Sequence, residues 1–415
     1  MSKTVLMLHN NAPAQFVNWI SFFELKGWKV LFASPFADKT RLSKRVKHLK
    51  PQDFSKQLIQ NNQQNSTLEA HIRNGDIYLD VFERLRASGV YPSIIVSHSG
   101  WGCGLHAKTI FPDAMLISYA EWYFSHPSPF TRFISSDPLI EASDSFICAL
   151  LKRNMSSLSE LCDADLIVSP TEWQANQLPD FLRNKTQIIF DGLTPFFCKF
   201  ALQACHPSEN QRGKHGELLP SLAKWPIMAT YFTRGFEPIR LFPLAAKVIK
   251  HSLDQDPDLC YALAGSRKIH YGGGKSASRH IDSLFDDYLI DYIKCGRIKV
   301  LPRLAYKQYL LLLSRSCAHL YTTGPFVASW SLFEALGLNV PTIANSSEPV
   351  LDITRNLPSS NPSLAGAGDL RKFSALIANY SKKDIPKPFT LSEHKEFLVK
   401  HSWVETHRLL EDALT

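Results

Sequence analysis

Two arginines close behind a predicted strand are the first residues with an evident chemical use. In the segment YFTRGFEPIRLF (231–242), Arg234 and Arg240 are six positions apart across a glycine and a proline. This spacing predicts a turn that can direct both guanidinium groups at one point. Two planar guanidinium groups there suit a diphosphate that leaves during a reaction, because the negative charge that develops on it needs stabilising. Arginines beside Glu237 could also form surface ion pairs, so this stretch alone leaves both roles open.

A second candidate segment is GPFVASWSLFEALG (324–337), which lies between two predicted strands. Ser329 and Ser331 are suitable N-caps for a short helix that contains Glu334. Backbone amides at the start of such a helix form an anion site. Ser331 and Glu334 also have the spacing of a capping box, which needs no ligand. A carboxylate at 334 could instead accept hydrogen bonds from the ribose of a sugar nucleotide, and both roles can coexist.

The loop HNNAPAQF (9–16) joins the first predicted strand to its helix and contains Asn11 and Ala14. Small residues in this loop would let a ligand approach the backbone amides closely. The loop has no GxGxxG, so it lacks the dinucleotide fingerprint. A glycine run, YGGGK (271–275), also lacks the P-loop spacing and is interpreted as a loop over the binding site.

Two further segments of the first half place polar and aromatic residues after predicted strands. In HSGWGCGLHAK (98–108), His98, Gly100 and Trp101 indicate either a tight turn or a sugar or acceptor pocket with an aromatic platform. In SYAEWYF, Glu121 follows another strand between aromatic residues. Such a carboxylate could contact sugar hydroxyls, act as a base, or form a structural ion pair.

These residues are positioned by a repeating pattern of strand, loop and helix. Short apolar runs alternate with amphipathic stretches, which predicts βα units around parallel sheets. The predicted fold class is α/β with two doubly wound sheets in series, and ligands of such sheets bind at the carboxyl ends of the strands. The predicted strands are 4–9, 29–34, 93–98, 115–120, 165–170 and 186–191 in the first half, then 225–232, 259–265, 297–302, 318–323 and 340–345.

A chain of 415 residues is too long for one ordinary core, so two domains are expected. The N-terminal domain is predicted at 1–197 and the C-terminal domain at 221–394. The polar segment 198–220 is predicted to link them, and a helix is predicted at 395–415.

The composition excludes several classes of protein. With 45% apolar and 20% charged residues, the chain is typical of a soluble globular protein. It has no apolar run of about 18 residues, so no membrane-spanning helix is expected. The start MSKTVLMLHNN is interpreted as a first buried strand, not a secretion signal. Eight widely spaced cysteines predict reduced thiols in the cytoplasm and no zinc site.

The net charge of +8 suits anionic ligands or a membrane surface and is not diagnostic of nucleic acid, for which no contact is predicted. The densest charge run is Lys39–Lys50, within an irregular segment at about 36–75. It is interpreted either as a solvated helix and loop or as a contact with an anionic lipid or phosphorylated acceptor. Its basic residues are Lys39, Arg41, Lys44, Arg45, Lys47 and Lys50.

Taken together, these segments resemble the group 1 glycosyltransferases, family 4. HNNAPAQF is similar to the HQNFPGQF opening of one bacterial branch, and HSGWGCGLHAKTIFPDAMLISYAEWYF is similar to its HPGWGE…L…FP.AP…YFEFYY. PTEWQANQLP (170–179) and FDGL (190–193) resemble its T.WQ…P and H.G(I/L) pair. YFTRGFEPIRLF and FVASWSLFEALG resemble YVTRGLEPYRGF and FVLSWSLLEAM.CG. The resemblance covers most of residues 1–355.

The resemblance implies a GT-B fold, in which two Rossmann-like domains face each other across a cleft and the C-terminal helix returns to the N-terminal domain. It further implies retaining transfer of a hexose-type sugar from a nucleotide-diphosphate sugar to an acceptor hydroxyl. The acceptor would be a glycan, a lipid-linked molecule or a protein. No cofactor or metal at an Asp-x-Asp motif is implied. The expected location is the cytoplasm, with peripheral contact to the anionic inner membrane face through Lys39–Lys50.

The resemblance also assigns roles by position. Arg234 and Arg240 would stabilise the departing diphosphate, and Glu334 would hold the ribose. Glu121 falls near the position where many relatives have a histidine that touches the donor sugar. Together with the residues selected from the sequence itself, the predicted sets are Arg234, Arg240 and Glu121 as catalytic residues, Glu334, Ser329, Trp330, Ser331, Asn11 and Ala14 as donor-binding residues, and His98, Gly100 and Trp101 as the acceptor or sugar pocket.

Three positions depart from the family pattern. Phe326 stands where the family motif has its first glutamate, and Ala14 and Leu241 replace glycines. These changes affect the expected sugar specificity more than the fold. Two alternatives therefore stay open: a nucleotide-sugar epimerase or hydrolase of the same fold, and a catalytically inactive binding protein.

Overall fold

The computed structural model describes residues 3–52, 68–140, 142–205, 222, 224–269, 275–357, 361–381 and 387–415. The chain forms two compact units. The first comprises Met1–Pro127, Ser143–Thr194 and His401–Thr415, and the second comprises Ser128–Ala142 and Pro195–Lys400. Each unit contains a parallel β-sheet with helices, which confirms the predicted α/β class.

The elements up to residue 194 follow the predicted alternation. In chain order they are β1 (Thr4–Leu8), β2 (Asn11–Ala12), α1 (Val17–Leu25), β3 (Lys29–Ala33), β4 (Phe36–Ala37), β5 (Lys47–Leu49), α2 (Leu68–Ala87), β6 (Ile94–His98), α3 (Ala107–Ile110), β7 (Met115–Tyr119), α4 (Pro129–Ser136), α5 (Asp144–Asp163), β8 (Leu166–Ser169), α6 (Glu172–Ala175) and β9 (Thr186–Ile188). Short 3₁₀ helices cover Ala14–Phe16, Ser99–Trp101 and Asp180–Lys185.

The remaining elements repeat the pattern. They are α7 (Pro195–Cys205), β10 (Ile227–Gly235), α8 (Phe242–Gln255), β11 (Leu259–Ser266), α9 (Lys275–Ser283), α10 (Ile290–Lys294), β12 (Ile298–Leu301), α11 (Tyr306–Ser314), β13 (Ala318–Tyr321), α12 (Trp330–Gly337), β14 (Thr342–Asn345), α13 (Glu348–Thr354), β15 (Ser363–Ala365), α14 (Leu370–Ser381), α15 (Leu391–Lys400) and α16 (Trp403–Leu414). A 3₁₀ turn (Pro238–Arg240) precedes α8, and a π-helical turn (Leu284–Tyr288) precedes α10.

The sheet of the first unit has the order β5-β3-β1-β6-β7-β8-β9, with parallel pairing throughout. Every residue of β1 is buried because helices cover both faces of the sheet. One face packs against α2 through residues such as Tyr78 and Phe82, and the other packs against α1 through Trp19 and Phe23. The C-terminal helix α16 belongs to this unit, and its Leu410 joins the apolar cluster on the face covered by α1.

The sheet of the second unit has the order β12-β11-β10-β13-β14-β15 and is also parallel. Its core combines the central strands with aromatic residues that follow or flank them: Phe236 directly after β10, Phe242 in α8 and Phe285 in the π-helical turn. The segment Ser128–Ala142 belongs to this unit although the sequence predicts it within the N-terminal domain. Ser128 caps α4 by accepting a hydrogen bond from the amide of Thr131 at 3.2 Å, and Pro129 starts the helix.

All eleven predicted strands are present. The sequence reading missed β2, β4, β5 and β15, which are strands of two or three residues. Two of them, β4 and β5, lie in the segment predicted to be irregular, and β5 places Lys47 on an edge strand and not in a helix. Strands of two or three residues are too short to contain the apolar run that marks a buried strand.

Two predicted boundaries need correction. Residues 198–205 of the predicted linker form most of α7, whose Phe197, Phe200 and Ala201 are buried in the second unit, whereas 206–220 lie outside the described residues. The predicted helix at 395–415 is two helices, α15 and α16, separated at His401 and Ser402. Among the helices that the structure describes, none combines the length and the apolar character needed to cross a membrane.

Candidate functional site

Each sheet has one position where successive connections leave in opposite directions. In the first sheet it lies between β1 and β6, and in the second it lies between β10 and β13. Ligands of doubly wound sheets bind beside the carboxyl ends of the strands at such a switch point. These two positions are therefore the expected ligand-binding sites of the two units.

At the switch point of the first unit, two histidines meet. His9 directly follows β1 and His98 ends β6, and their rings are 4.9 Å apart in an edge-to-face arrangement. Burial, reinforced by the neighbouring His98, lowers the pKa of His9 well below its usual range. The Nδ1 atom of His9 accepts a hydrogen bond from the amide of Asn11 at 2.8 Å. His9 is therefore a neutral, fixed part of this site at neutral pH.

Glu121 lies beside this pair, just after the neighbouring strand β7. Its Oε1 accepts a hydrogen bond from Nε2 of Gln15 at 3.2 Å, and its Oε2 lies 3.4 Å from Nε2 of His98. Nδ1 of His98 accepts the amide hydrogen of Gly100 at 3.2 Å, so in the neutral ring the proton is on Nε2. The Glu121 side chain is 39% exposed, so it remains accessible to a ligand.

The backbone of Glu121 is held as well. Its carbonyl oxygen accepts a hydrogen bond from Nε2 of Gln174 at 2.7 Å. Gln15, His98 and Gln174 come from three different motifs of the first half. These three motifs therefore meet at one carboxylate. Gln15 and Gln174 were not predicted as site residues, although both lie inside motifs that carry the family resemblance.

The other residues assigned to this half have more limited roles. Half-buried Trp101 lies 6.2 Å from His98 and 6.3 Å from His9, measured between ring centroids, so it forms one wall of the site. Asn11 is exposed and contributes its amide to His9. Ala14 has a φ of 46°, a left-handed conformation that disfavours any side chain.

A buried glutamate supports the loop after β6. Glu160 on α5 is fully buried, its Oε2 accepts the amide hydrogen of Gly104 at 3.0 Å, and its Oε1 accepts the hydroxyl hydrogen of Ser118 at 2.8 Å. Burial raises the pKa of Glu160. A Cβ atom on Gly104 would lie 2.7 Å from Oε2 of Glu160, so only glycine fits there. No local sequence signal marks Glu160, because a helical glutamate is ordinarily solvated.

At the switch point of the second unit, Arg234 and Arg240 line one pocket. Arg234 is exposed near the end of β10, and Arg240 is half-buried. Nη1 of Arg240 donates to Oγ1 of Thr323 at 3.1 Å and to the carbonyl of Val327 at 3.3 Å, which fixes its guanidinium. The lining residues include Tyr231, Thr233, Arg234, Arg240, Tyr321, Thr322, Ser329 and Ser331.

The start of α12 contributes the serines. Ser329 is the N-cap, and its Oγ accepts a hydrogen bond from the amide of Ser331 at 3.3 Å. The amide of Ser329 donates to the hydroxyl of Tyr321 at 3.3 Å. Trp330, the first residue of the helix, is 39% exposed. The pocket therefore combines two cationic side chains with the positive end of a helix, an arrangement that attracts anions.

Glu334 does not form the capping box that its spacing with Ser331 allows. Its two carboxylate oxygens instead accept hydrogen bonds from hydroxyls on α11: Tyr306 donates to Oε1 at 2.6 Å and Tyr309 donates to Oε2 at 2.8 Å. The capping-box interpretation is therefore wrong. The cause is geometric: the N-cap is Ser329, two residues before Ser331, so Ser331 lies inside the first turn and cannot cap the helix.

The position of the expected first glutamate is apolar and buried. Phe326 is 8% exposed, and its ring stacks on Phe130 of α4 at a centroid distance of 5.0 Å. Gly324 lies so close to the same helix that a Cβ atom there would be 2.8 Å from the ring of Phe133. Leu241, the second replaced glycine, has a φ of 52° and, like Ala14, retains a left-handed backbone.

The basic run of the first unit is solvent-facing. All six of its cations are exposed, and within the described residues none of them forms an ion pair within 4.0 Å. Next to it, α1 and residues 40–44 enclose an open groove of about 390 Å³. Among the described residues, no group of three or more His, Cys, Asp and Glu side chains could hold a metal ion.

Solved structures with the same fold match nearly the full length of the chain. The N-terminal domain of Candida albicans trehalose-6-phosphate phosphatase has a TM-score of 0.70 and 13% identity, covering 100% of this chain and 97% of that one. HepE of Anabaena in complex with UDP-glucose has a TM-score of 0.64 and 13% identity, with 99% of each chain covered. A glycosyltransferase from Rickettsia africae has a TM-score of 0.66 and 12% identity, covering 99% and 98%. No curated protein sequence matches the chain.

The two parallel-sheet units and the full-length structural matches show the GT-B fold. Residues 26–195 match the model of the glycosyl transferase family 4 group, which supports a glycosyltransferase. The resemblance drawn from the motifs is thereby confirmed.

Proposed function

We propose that this enzyme transfers a hexose-type sugar from a nucleotide-diphosphate sugar to an acceptor hydroxyl with retention of the anomeric configuration. The observation that carries the proposal is the pocket where Arg234, Arg240 and the Ser329-capped start of α12 lie together. Two guanidinium groups and a helix N-terminus suit the two phosphates of a leaving nucleoside diphosphate. The UDP-glucose in the HepE structure supports this class of donor.

The proposed chemistry follows the movement of charge. The bond between the sugar C1 and the diphosphate oxygen breaks, and its electron pair goes to the phosphate. The acceptor oxygen forms its bond to C1 on the face that the phosphate leaves, and its proton passes to the departing phosphate oxygen. Arg234 and Arg240 stabilise the negative charge as it develops. This assignment requires no metal ion, so activity should persist in the presence of EDTA.

One carboxylate in each unit has a proposed binding role. Glu334 accepts hydrogen bonds from the ribose hydroxyls of the donor. Glu121, held by Gln15 and close to His98, accepts a hydrogen bond from a substrate hydroxyl. Since Gln15 already donates to one oxygen of Glu121, we assign this carboxylate a binding role in preference to that of a general base.

The test is replacement of Arg234 by alanine. With donor saturating, we expect turnover to fall by about 10²–10³, the usual effect of losing one donor to a developing anion. Arg371→Ala, which removes an exposed arginine from α14 of the same unit, should retain wild-type turnover. A wild-type rate from a folded Arg234→Ala protein would contradict the assignment.

Product analysis separates this reaction from its alternatives. A donor labelled in the sugar should give a glycoside with the anomeric configuration of the donor. Free sugar would indicate a hydrolase, an epimerised nucleotide sugar would indicate an epimerase, and an unchanged donor would indicate a binding protein.

We further propose that the enzyme works in the cytoplasm and docks on anionic membranes through Lys39–Lys50. The exposure of all six cations supports this, because each basic residue near an anionic surface contributes about 1 kcal/mol. The described cysteines are free thiols, which suits a reducing compartment. Vesicles containing phosphatidylglycerol should sediment the protein, and a Lys39→Ser/Arg41→Ser/Lys44→Ser variant should sediment less. Equal sedimentation with pure phosphatidylcholine would contradict the docking.

A further inference from the structure

The open groove beside the basic run is framed by one helix and one loop. Helix α1 contributes Val17, Ile20, Ser21 and Glu24, and the loop contributes residues 40–44. The helical residues have the spacing i, i+3, i+4 and i+7, so they form a single face of α1. The groove encloses about 390 Å³, a volume within the range of small-molecule sites. It can therefore take a small molecule or the exposed part of a larger one.

The buried and exposed parts of this groove differ in chemical character. The more buried part of the lining is aliphatic, because Ile20 is buried and Val17 and Leu42 are half-buried. The exposed part of the lining has two cations, Arg41 and Lys44. A ligand that joins an anionic group to an apolar chain matches both parts.

The charge around the groove is positive on balance. The segment 36–50 contains six cations and a single carboxylate, that of Asp38, which accepts a hydrogen bond from Oγ1 of Thr40 at 2.6 Å. On the α1 side, Oε1 of Glu24 accepts from Oγ of Ser43 at 2.7 Å. Two carboxylates thus face six cations, so the surface around the groove attracts anions.

Exposed apolar side chains flank the same surface. Leu25 is 73% exposed and lies one helical turn after Ser21 on α1. Phe36 is 39% exposed and precedes the basic run by three residues. Cations together with exposed apolar residues favour binding to a lipid bilayer, because apolar contact adds to the attraction of anionic headgroups. A small soluble anion would make no use of these apolar side chains.

The groove is also built on the loop that leads into the site at the first switch point. The amide of Asp38 donates to the carbonyl of Ala12 at 2.8 Å, and β2 pairs with β4. Gln15, which donates to Glu121, is only two residues before Val17 in the chain. A molecule bound in the groove therefore lies next to the element that supports this carboxylate.

We propose that the groove is a binding site for one anionic phospholipid, whose phosphate is held by Arg41 and Lys44 and whose acyl chain contacts the aliphatic part of the lining. This inference rests on the proposed membrane docking through Lys39–Lys50 and adds to it a site of defined stoichiometry. A diffuse attraction depends on how many cations face the membrane. A site depends on which cations line the groove.

The experiment measures the binding of a single dispersed lipid. Dihexanoylphosphatidylglycerol, kept below its critical micelle concentration, is titrated into the protein by calorimetry. Glycerol 3-phosphate is titrated in the same way and tests whether the acyl chains contribute. Sedimentation with vesicles of phosphatidylglycerol and of pure phosphatidylcholine is measured in parallel and tests the docking itself.

Two double variants remove the same charge from different places. Arg41→Ser/Lys44→Ser removes the two cations that line the groove. Lys39→Ser/Lys47→Ser is the matched control, because it removes two cations of the same run that are not among the lining residues. All four side chains are exposed, so both variants should fold, which circular dichroism checks.

We expect the wild-type protein to bind one dihexanoylphosphatidylglycerol per chain. Glycerol 3-phosphate should bind at least about tenfold more weakly, since burial of two methylene groups contributes that factor. Arg41→Ser/Lys44→Ser should lose about tenfold in affinity for the dispersed lipid, the effect of one hydrogen bond to a charged group. The affinity of Lys39→Ser/Lys47→Ser should stay within about twofold of the wild-type value, because exposed charges outside the site contribute little.

The two measurements separate failure of the inference from failure of the docking. If phosphatidylglycerol vesicles sediment the protein but the dispersed lipid does not bind, or if both double variants lose affinity equally, the docking is a diffuse attraction and the groove is not a lipid site. If glycerol 3-phosphate binds as tightly as the lipid, the groove is a site for free phosphate esters instead. If phosphatidylglycerol vesicles sediment the protein no better than phosphatidylcholine vesicles, the docking fails and the inference fails with it.

Discussion

Thr323 and Asn345 exchange two hydrogen bonds at the carboxyl ends of neighbouring strands. The amide of Thr323 donates to Oδ1 of Asn345 at 2.9 Å, and Nδ2 of Asn345 donates to the carbonyl of Thr323 at 2.9 Å. Because Thr323 Oγ1 also accepts from Arg240, this exchange ties the second arginine to the end of β14. The side chain of Asn345 therefore supports the pocket without lining it.

Replacing Asn345 by alanine should lower both stability and activity. Two buried backbone groups lose their partners, so we expect the free energy of unfolding to fall by about 2 kcal/mol. Catalytic efficiency should fall as well, because Thr323 no longer fixes Arg240. Urea unfolding and steady-state kinetics measure the two effects.

Asn361→Ala is the matched control for that prediction. Asn361 accepts from the amide of Thr342 at 3.0 Å and donates to the carbonyl of Val340 at 3.2 Å, at the opposite end of β14. Asn361→Ala should lower the free energy of unfolding by a similar amount and change kcat/KM little. Equal kinetic losses in both variants would show that the effect is general destabilisation.

Ala14→Gly should stabilise the protein. At a φ of 46°, a residue with a Cβ atom is disfavoured by about 1 kcal/mol relative to glycine, part of which is offset by the greater entropy of glycine in the unfolded chain. We expect a net gain of about 0.5 kcal/mol in urea unfolding. The same substitution at exposed Ala375 in α14 should instead cost about 1 kcal/mol. Changes of the same sign at both positions would contradict this reasoning.

Gln15→Leu should impair catalysis while the fold stays intact. The substitution removes the side-chain amide that donates to Glu121 and keeps a similar volume. A hydrogen bond to a charged group contributes about 1.5 kcal/mol, so kcat/KM should fall about tenfold. Gln187→Leu, at an exposed position of β9, should leave it unchanged. Unaltered kinetics for Gln15→Leu would remove Glu121 from the list of functional residues.

Mild acid should destabilise the first unit through His71. Burial lowers the pKa of His71 from 6.5 to about 4, with the positive charge of Arg153 adding to the effect. Between these pH values the unfolded chain binds the proton more readily than the folded chain. The contribution of neutral His71 to the free energy of unfolding is therefore fully present above pH 6.5 and is lost as the pH falls toward 4. By pH 5 the loss should be about 2 kcal/mol.

This pH effect can be measured by urea unfolding at pH 7.5 and 5.0. His71→Gln should show a smaller loss between the two pH values than the wild-type protein. His280→Gln, which replaces an exposed histidine of α9, should behave as the wild type does. The attribution to His71 fails if all three proteins lose the same stability.

The strands could be predicted because central parallel strands are buried on both faces and form continuous apolar runs. Arg234, Arg240 and Ser329 could be selected because arginine pairs, chain breaks and N-caps have local signatures. Gln15 and Gln174 could not be selected from the sequence, because each contacts Glu121 from more than 50 residues away in the chain. Tyr306 and Tyr309 belong to an apolar helix, YKQYLLLL, whose composition indicates only packing.

The membership of Ser128–Ala142 in the second unit was not predictable for a similar reason. Its Phe130 and Phe133 predict burial but not the partner that buries them. Only the structure shows that this partner includes Phe326, so the departure from the family glutamate and the placement of α4 are two parts of one apolar contact.

Because Ser128–Ala142 packs with residues from Pro195 onward, the backbone passes between the two units four times. No single cut in the chain can therefore release either half whole. A fragment ending at Thr194 would carry α4 without its aromatic support, and the complementary fragment would expose Phe326 to water. Engineers who wish to exchange donor halves between such enzymes will need to transplant this helix with the second half, and the terminal helix α16 with the first.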